Sequence, residues 1–137
     1  MRKPFLIGLF FILILVLSAC STTSSTNISV KMTDFSYTPK DVSILAGKEI
    51  TLNITNDGKV EHEFVIMKPG MTVGDDFGPE DEENIYWEVE AKPGETKQVT
   101  FTAPTEPGVY QVVCGTPGHF MAGMGAKLTV VKQEPNS

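Results

Sequence analysis

Hydrophobic and polar residues alternate one by one along much of the chain after residue 27. Ile28, Val30 and Met32 are separated by polar residues. The same alternation recurs in residues 50–55, 99–101 and 128–130. A period of two places successive side chains on opposite faces of an extended chain. The pattern therefore predicts half-buried β-strands rather than helices.

Turn-forming sequences separate the alternating segments. They are Thr38-Pro39, Ala46-Gly47, Asn56-Asp57-Gly58, Pro69-Gly70, Pro93-Gly94 and Pro107-Gly108. Their spacing predicts seven or eight short strands in an all-β fold, and we expect an antiparallel Greek-key β-sandwich. In residues 74–84, an irregular acidic stretch, we expect at most one short helix.

The start of the chain has the pattern of a targeting segment. Arg2 and Lys3 precede an almost unbroken apolar run over residues 5–17, and Leu-Ser-Ala then leads into Cys20. This order is typical of a secretory signal, and the run is shorter than the roughly 20 residues that span a membrane. The segment resembles the lipobox of bacterial lipoproteins. That resemblance implies a signal peptide over residues 1–19 and a lipid on Cys20; an uncleaved N-terminal anchor is the alternative.

The rest of the chain divides into a tether, one domain and a tail. Residues 20–27 contain the lipidated cysteine and a polar, low-complexity tether, residues 28–132 form the domain, and residues 133–137 form the tail. The domain is long enough for one hydrophobic core, and we expect a monomer. The signal and the lipid predict a location on the extracytoplasmic face of a bacterial membrane, at the cell membrane or in the periplasm.

The chain is acidic, with a formal net charge of −6. Removal of Arg2 and Lys3 with the signal peptide makes the charge more negative. A nucleic-acid-binding protein needs a basic face, so that class is excluded, whereas a cationic protein partner is electrostatically favoured. We interpret the acidic run within residues 75–83 as a solvated loop, with a docking patch for a cationic cytochrome as the alternative.

Cysteine and histidine are scarce, with two of each in the chain. If Cys20 carries lipid, Cys114 has no partner within the chain, and such a thiol outside the cytoplasm is open to oxidation unless something occupies it. His119 follows Cys114 with four residues between, and Met124 follows His119 at the same interval. Because this segment joins two predicted strands, one loop presents a thiolate, an imidazole and a thioether.

His62, at the start of another predicted strand, could complete this set of donors. Two imidazoles, one thiolate and a weak thioether are typical of blue copper. The alternatives are a structural cysteine and histidine, a zinc site, and a Cys-His thiol hydrolase. Zinc prefers four strong ligands. A hydrolase needs an orienting residue and a substrate cleft, and the sequence shows no sign of either.

The other methionines of the domain are interpreted as core or surface residues: Met32, Met67, Met71 and Met121.

From about residue 28 to residue 131 the chain resembles the cupredoxins, the superfamily of plastocyanin and azurin. The resemblance rests on the Cys-x4-His-x4-Met spacing, with Pro-Gly before the histidine and Ala-Gly before the methionine, and on residues 56–66. This spacing is similar to that of auracyanin and sulfocyanin. The resemblance implies one type 1 copper that alternates between Cu(I) and Cu(II). It implies four copper ligands: His62, Cys114, His119 and Met124.

The resemblance also implies a function. A cupredoxin carries single electrons and is not an enzyme, so we expect a lipid-anchored carrier between membrane-associated redox partners, such as a cytochrome or a membrane oxidoreductase. The alternative is copper binding and delivery, in copper homeostasis or oxidase assembly. Glu63 departs from the family, because many members have an asparagine there that ties the strand to the cysteine loop. This departure bears on the reduction potential and on the physiological role.

Overall fold

The computed structural model describes residues 24–133. The predicted signal peptide, the lipidation site Cys20 and the end of the predicted tail lie outside the described residues. Within the described part of the chain, no helix is long and apolar enough to cross a membrane.

The described chain folds into nine β-strands and one short 3₁₀ helix. The strands are β1 (Asn27–Thr33), β2 (Ser36–Thr38), β3 (Asp41–Leu45), β4 (Glu49–Asn56), β5 (His62–Met67), β6 (Ile85–Ala91), β7 (Thr96–Thr102), β8 (Gly108–Val113) and β9 (Gly125–Val131). The 3₁₀ helix covers Glu82–Asn84, at the end of the acidic stretch where a short helix was expected. The count exceeds the predicted seven or eight strands because a strand as short as β2, with three residues, shows no alternation.

The strands form two sheets that pack as a sandwich. The four-stranded sheet has the order β2-β1-β4-β7, and the five-stranded sheet has the order β3-β9-β8-β5-β6. One hydrophobic cluster contains buried side chains from both sheets, among them Leu52 from β4 and Phe64 from β5. The predicted all-β sandwich is confirmed.

Both sheets are mixed rather than purely antiparallel. β1 pairs with β4 in the parallel direction, and so does β3 with β9, whereas the other strand pairs are antiparallel. Hydrophobic alternation decides which face of a strand is buried, but the same alternation suits a neighbour of either direction. The prediction of an antiparallel arrangement is therefore corrected at these two pairs.

The alternation in β4 appears directly as its burial pattern. Ile50, Leu52 and Ile54 are completely buried, and the residues between them are partly exposed. Full burial of one such side chain stabilises the fold by about 1.5–3 kcal/mol. The methionines interpreted as core or surface residues divide between those classes: Met32 and Met67 are buried, and Met71 and Met121 are exposed.

The middle of the five-stranded sheet determines where the predicted ligands meet. β8 and β9 are antiparallel, with Val113 opposite Gly125, so residues 114–124 form the loop at one end of this sheet. β5 is antiparallel to β8, with Val65 opposite Val113. β5 therefore begins, with His62, at the same end of the sheet.

Candidate metal centre

The loop of residues 114–124, which we call the ligand loop, is closed by its own backbone. The N–H of Cys114 donates to the carbonyl oxygen of Met124 (3.2 Å), and the N–H of Met124 donates to the carbonyl oxygen of His119 (3.0 Å). Gly123 has a φ of 101°, in a region that residues other than glycine rarely adopt. The chain therefore turns sharply before β9 and brings Met124 back beside Cys114.

Three donor atoms converge at the end of the sandwich. Nδ1 of His62 lies 3.1 Å from Nδ1 of His119, and Sγ of Cys114 lies 3.4 Å from His119 Nδ1 and 4.0 Å from His62 Nδ1. His62 and Cys114 are completely buried, and 9% of His119 is exposed. Burial, followed by the neighbouring His62, lowers the pKa of His119, which favours the neutral imidazole that can bind a metal.

The size of this triangle fits one metal ion. Bonds of about 2.0 Å to nitrogen and 2.3 Å to sulfur, arranged trigonally, place the donors roughly 3.5–3.7 Å apart. The observed separations of 3.1, 3.4 and 4.0 Å bracket that range. Two imidazoles and a thiolate in a trigonal arrangement, with a thioether nearby, are the donors of type 1 copper. The residues therefore fit the copper site that the sequence predicts.

Met124 and Met121 differ sharply in their surroundings. Met124 is completely buried and belongs to the same hydrophobic cluster as Cys114. Met121 is 68% exposed. Of the two methionines near His119, Met124 is therefore the one buried beside Cys114, as the predicted axial ligand would have to be, and Met121 lies at the surface.

Asp34 contacts the site, although no sequence motif points to this residue. Its Oδ1 lies 3.1 Å from Nε2 of His62, the ring nitrogen that faces away from the other donors. The N–H of Lys59 donates to the same oxygen at 2.9 Å. This backbone hydrogen bond, together with His62, holds the pKa of Asp34 below its usual value, so the side chain is an anion at neutral pH.

Phe35 is a second residue that sequence reasoning missed. Its ring meets the ring of His119 edge-on, with 5.0 Å between the centroids. Phe35 has a φ of 68° and is 45% exposed. The left-handed conformation costs a residue other than glycine about 1–2 kcal/mol. The turn before β2 adopts it, and the ring of Phe35 lies against His119.

The backbone of Glu63 lies beside the sulfur atom of Cys114. Its N–H donates to Sγ of Cys114 at 3.4 Å, and its carbonyl oxygen accepts a hydrogen bond from the hydroxyl group of Tyr37. Its half-buried carboxylate lies against Gly115, where a Cβ atom would be 2.1 Å from Oε2. Burial, and then the charge of Glu88, raise the pKa of Glu63. A half-buried carboxylate thus lies at the position where the family resemblance leads us to expect an asparagine.

Comparison with known proteins decides the family. The family of copper-binding proteins of the plastocyanin/azurin type matches residues 24–131. The chain belongs to this family. These are the blue copper proteins, or cupredoxins, a family of electron-transfer proteins with a single copper as cofactor. Of the four predicted ligands, His62, Cys114 and His119 bring their donor atoms within 4.8 Å of one another, and Met124 is buried in the same hydrophobic cluster as Cys114.

Individual cupredoxins give the same result. Auracyanin-B of Chloroflexus aurantiacus is 29% identical over 110 residues, which are 69% of this chain and 46% of that protein, so the chain spans about half the length of that relative. The reduced auracyanin of Roseiflexus castenholzii has a TM-score of 0.67 at 30% identity, over 80% of this chain and 99% of that one. Auracyanin A of Chloroflexus aurantiacus, described as a "blue" copper protein, has a TM-score of 0.60 at 27% identity, over 77% and 99% of the two chains. The predicted resemblance to auracyanin is confirmed.

Proposed function

We propose that this cupredoxin is a lipid-anchored carrier that passes single electrons between membrane-associated redox partners. The observation that carries the proposal is the buried, backbone-supported convergence of His62, Cys114 and His119 within the sandwich. Copper, when bound, supplies a centre that gains or loses one electron. The surrounding residues are held by strands and by the closed ligand loop, so little rearrangement accompanies that change.

His119 is the most accessible of the three donors. It is 9% exposed, whereas His62 and Cys114 are completely buried. The exposed ring of Phe35 lies against it. We infer that electrons enter and leave through this edge of the site, because it gives a partner the shortest approach.

The burial of Cys114 also weighs against a thiol hydrolase. A cysteine nucleophile needs its sulfur within reach of a substrate carbon. Asp34 could orient His62 as a base, but Cys114 has no exposed surface. An electron needs no such access, and so the carrier accounts better for the geometry.

The membrane anchor and the partners are supported by the sequence alone. Cys20 ends a lipoprotein-like signal, and a polar segment separates it from β1. The net negative charge favours a cationic partner, such as a cytochrome or a membrane oxidoreductase at the extracytoplasmic face. A lipid anchor would keep the domain close to partners in the same membrane.

Copper loading of the full chain in detergent tests the proposal. We expect an intense blue colour from the copper–thiolate bond, and reversible reduction without loss of the metal. Cys114→Ser is the control, since it removes the thiolate and should abolish the colour. Rapid release of Cu(I) to a chelator after reduction would instead support copper delivery, and a colourless wild-type protein would contradict a type 1 site.

A further inference from the structure

The two ring nitrogens of His62 face different partners. Nδ1 lies 3.1 Å from Nδ1 of His119 and 4.0 Å from Sγ of Cys114, whereas Nε2 lies 3.1 Å from Oδ1 of Asp34. A neutral imidazole carries one N–H, and a carboxylate accepts hydrogen bonds but does not donate them. The contact with Asp34 therefore places the proton on Nε2 and leaves the lone pair of Nδ1 directed toward the other donors.

The carboxylate of Asp34 is held from a second side. Asp34 and Phe35 form the turn between β1 and β2. The N–H of Lys59, which belongs to the segment between β4 and β5, donates to Oδ1 of Asp34 at 2.9 Å. The position of this oxygen is therefore determined by the backbone of two segments as well as by His62.

Gly58 leaves the space in which the carboxylate and the imidazole meet. A Cβ atom on Gly58 would lie 2.5 Å from Oδ1 of Asp34 and 2.8 Å from Nε2 of His62. The buried side chain of Asn56 fixes this segment, because its Oδ1 accepts the N–H of Gly58 and its Nδ2 donates to the carbonyl oxygen of Val60, both at 2.8 Å. The segment thus accommodates this contact and has no room for a larger residue.

We propose that Asp34 is a positioning residue of the copper site, which fixes the tautomer and orientation of His62 and strengthens its imidazole as a ligand. A carboxylate that accepts the second N–H of a metal-binding histidine has these effects in other metalloproteins. A stronger nitrogen donor stabilises Cu(II) more than Cu(I). Asp34 should therefore lower the reduction potential, a consequence that rests on the proposed function, whereas the tautomer does not depend on copper.

The tautomer is tested on the copper-free full chain. Nitrogen-15 NMR of the His62 ring should show the proton on Nε2 in the wild type and a mixture of tautomers in Asp34→Ala. Glu106→Gln is the matched control, since it removes one negative charge before β8, at the end of that strand opposite Cys114, and should leave the ring unchanged. An unaltered tautomer in a folded Asp34→Ala protein would overturn the proposal.

The copper-loaded protein gives the second readout. Loss of such a partner lowers metal affinity on the order of 10–100-fold, and a tenfold loss for Cu(II) with Cu(I) unchanged raises the potential by about 59 mV. We expect Asp34→Ala to show this rise and Asp34→Asn, which keeps an acceptor oxygen, to lie between Asp34→Ala and the wild type. Equal potentials in folded variants would overturn the effect on the ligand.

Two further outcomes leave this proposal testable, and the second separates it from the proposed function. If thermal unfolding shows that the Asp34→Ala protein is not folded, the Asp34→Asn protein, which preserves the shape of the turn, is used for both readouts. If the wild-type chain binds no copper, the proposed function fails, while the NMR measurement still decides whether Asp34 controls the tautomer of His62.

Discussion

The carboxylate of Asp76 accepts a hydrogen bond from the backbone N–H of Gly118, with 2.7 Å between Oδ2 and the nitrogen. Its other oxygen accepts the N–H of Met121 at 3.2 Å. These two bonds hold the ligand loop on both sides of His119. Asp76 belongs to the acidic run that we interpreted as a solvated loop, and for this residue that interpretation is corrected: it supports the ligand loop.

Replacing Asp76 should loosen the ligand loop. We expect Asp76→Ala to speed hydrogen exchange at the amides of Gly118 and Met121, because both lose their acceptor. Asp75→Ala is the matched control, since Asp75 is the exposed neighbouring carboxylate. Equal exchange rates in the two variants would show that Asp76 does not anchor the loop.

The same contact predicts a pH dependence. The N–H of Gly118 lowers the pKa of Asp76 below its usual value of 3.8. A group whose pKa is lower in the folded than in the unfolded chain contributes stability above its unfolded pKa, and loses that contribution as the pH falls through the folded pKa. Protection of the Gly118 amide, corrected for intrinsic exchange, should therefore hold from neutral pH down to about 4 and fall below it. Asp76→Ala should lack this transition.

The two methionines near His119 should respond differently to substitution. A thioether stabilises Cu(II) more than Cu(I), so Met124→Leu should raise the reduction potential and alter the copper spectrum. Met121→Leu should change neither, because Met121 is 68% exposed. Voltammetry and electron paramagnetic resonance of both variants provide the comparison. The reverse pattern would make Met121 the axial ligand.

Gly58 should tolerate no side chain. Gly58→Ala places a Cβ atom 2.5 Å from Asp34 Oδ1, and we expect a loss of about 1–3 kcal/mol in the free energy of unfolding, as in other overpacked sites. Gly74→Ala is the control, because no atom lies within 4 Å of its added Cβ, and it should change stability by less than about 0.5 kcal/mol. Urea unfolding of the copper-free proteins measures both; similar losses would contradict the steric argument.

Cys20 should determine the attachment to the membrane. Cys20→Ser removes the proposed acylation site, so the protein should move from the membrane fraction to the soluble fraction and leave the detergent phase on partitioning. Cys114→Ser retains Cys20 and serves as the control for loss of a thiol. A Cys20→Ser protein that partitions like the wild type would support an uncleaved anchor.

Salt dependence tests whether the acidic run steers a cationic partner. Asp81 is unsuitable for this test, since it is buried and its Oδ2 accepts the N–H of Gly78 at 3.0 Å. Glu82 and Glu83 are exposed, so Glu82→Gln with Glu83→Gln should slow electron transfer at low salt and weaken its dependence on salt, because screening acts over about 8 Å at physiological ionic strength. Rates indifferent to salt and to both substitutions would leave these residues as solvated surface.

The strands could be predicted from the sequence because burial on one face of a strand requires hydrophobic residues at every second position. In β4 the alternation of Ile50, Leu52 and Ile54 with polar residues is the alternation of buried and exposed positions. The parallel pairing of β1 with β4 leaves no such pattern in the sequence, since the direction of a neighbouring strand does not change which face is buried. Architecture was therefore predictable, and the strand directions were not.

The same division applies to the metal centre. The spacing of Cys114, His119 and Met124 is short enough to be read as one loop, and the structure places all three there. Asp34 is separated by 28 residues from His62, and an aspartate in a turn is ordinary in sequence terms. No feature of the neighbouring sequence distinguishes Asp34, because its contact with His62 forms only when one sheet packs on the other.

The contact between Asp34 and His62 ties copper uptake to the completion of folding. His62 begins a strand of the five-stranded sheet, and Asp34 follows a strand of the four-stranded sheet. A preformed metal site rarely exists in an unfolded chain, so the free energy of metal binding adds to that of folding. In an unfolded chain Cys114, His119 and Met124 stay close together in sequence, whereas His62 and Asp34 do not lie near them. The complete site, with Asp34 against His62, forms when the two sheets have packed together. Copper bound there would therefore stabilise the packed arrangement of the sheets.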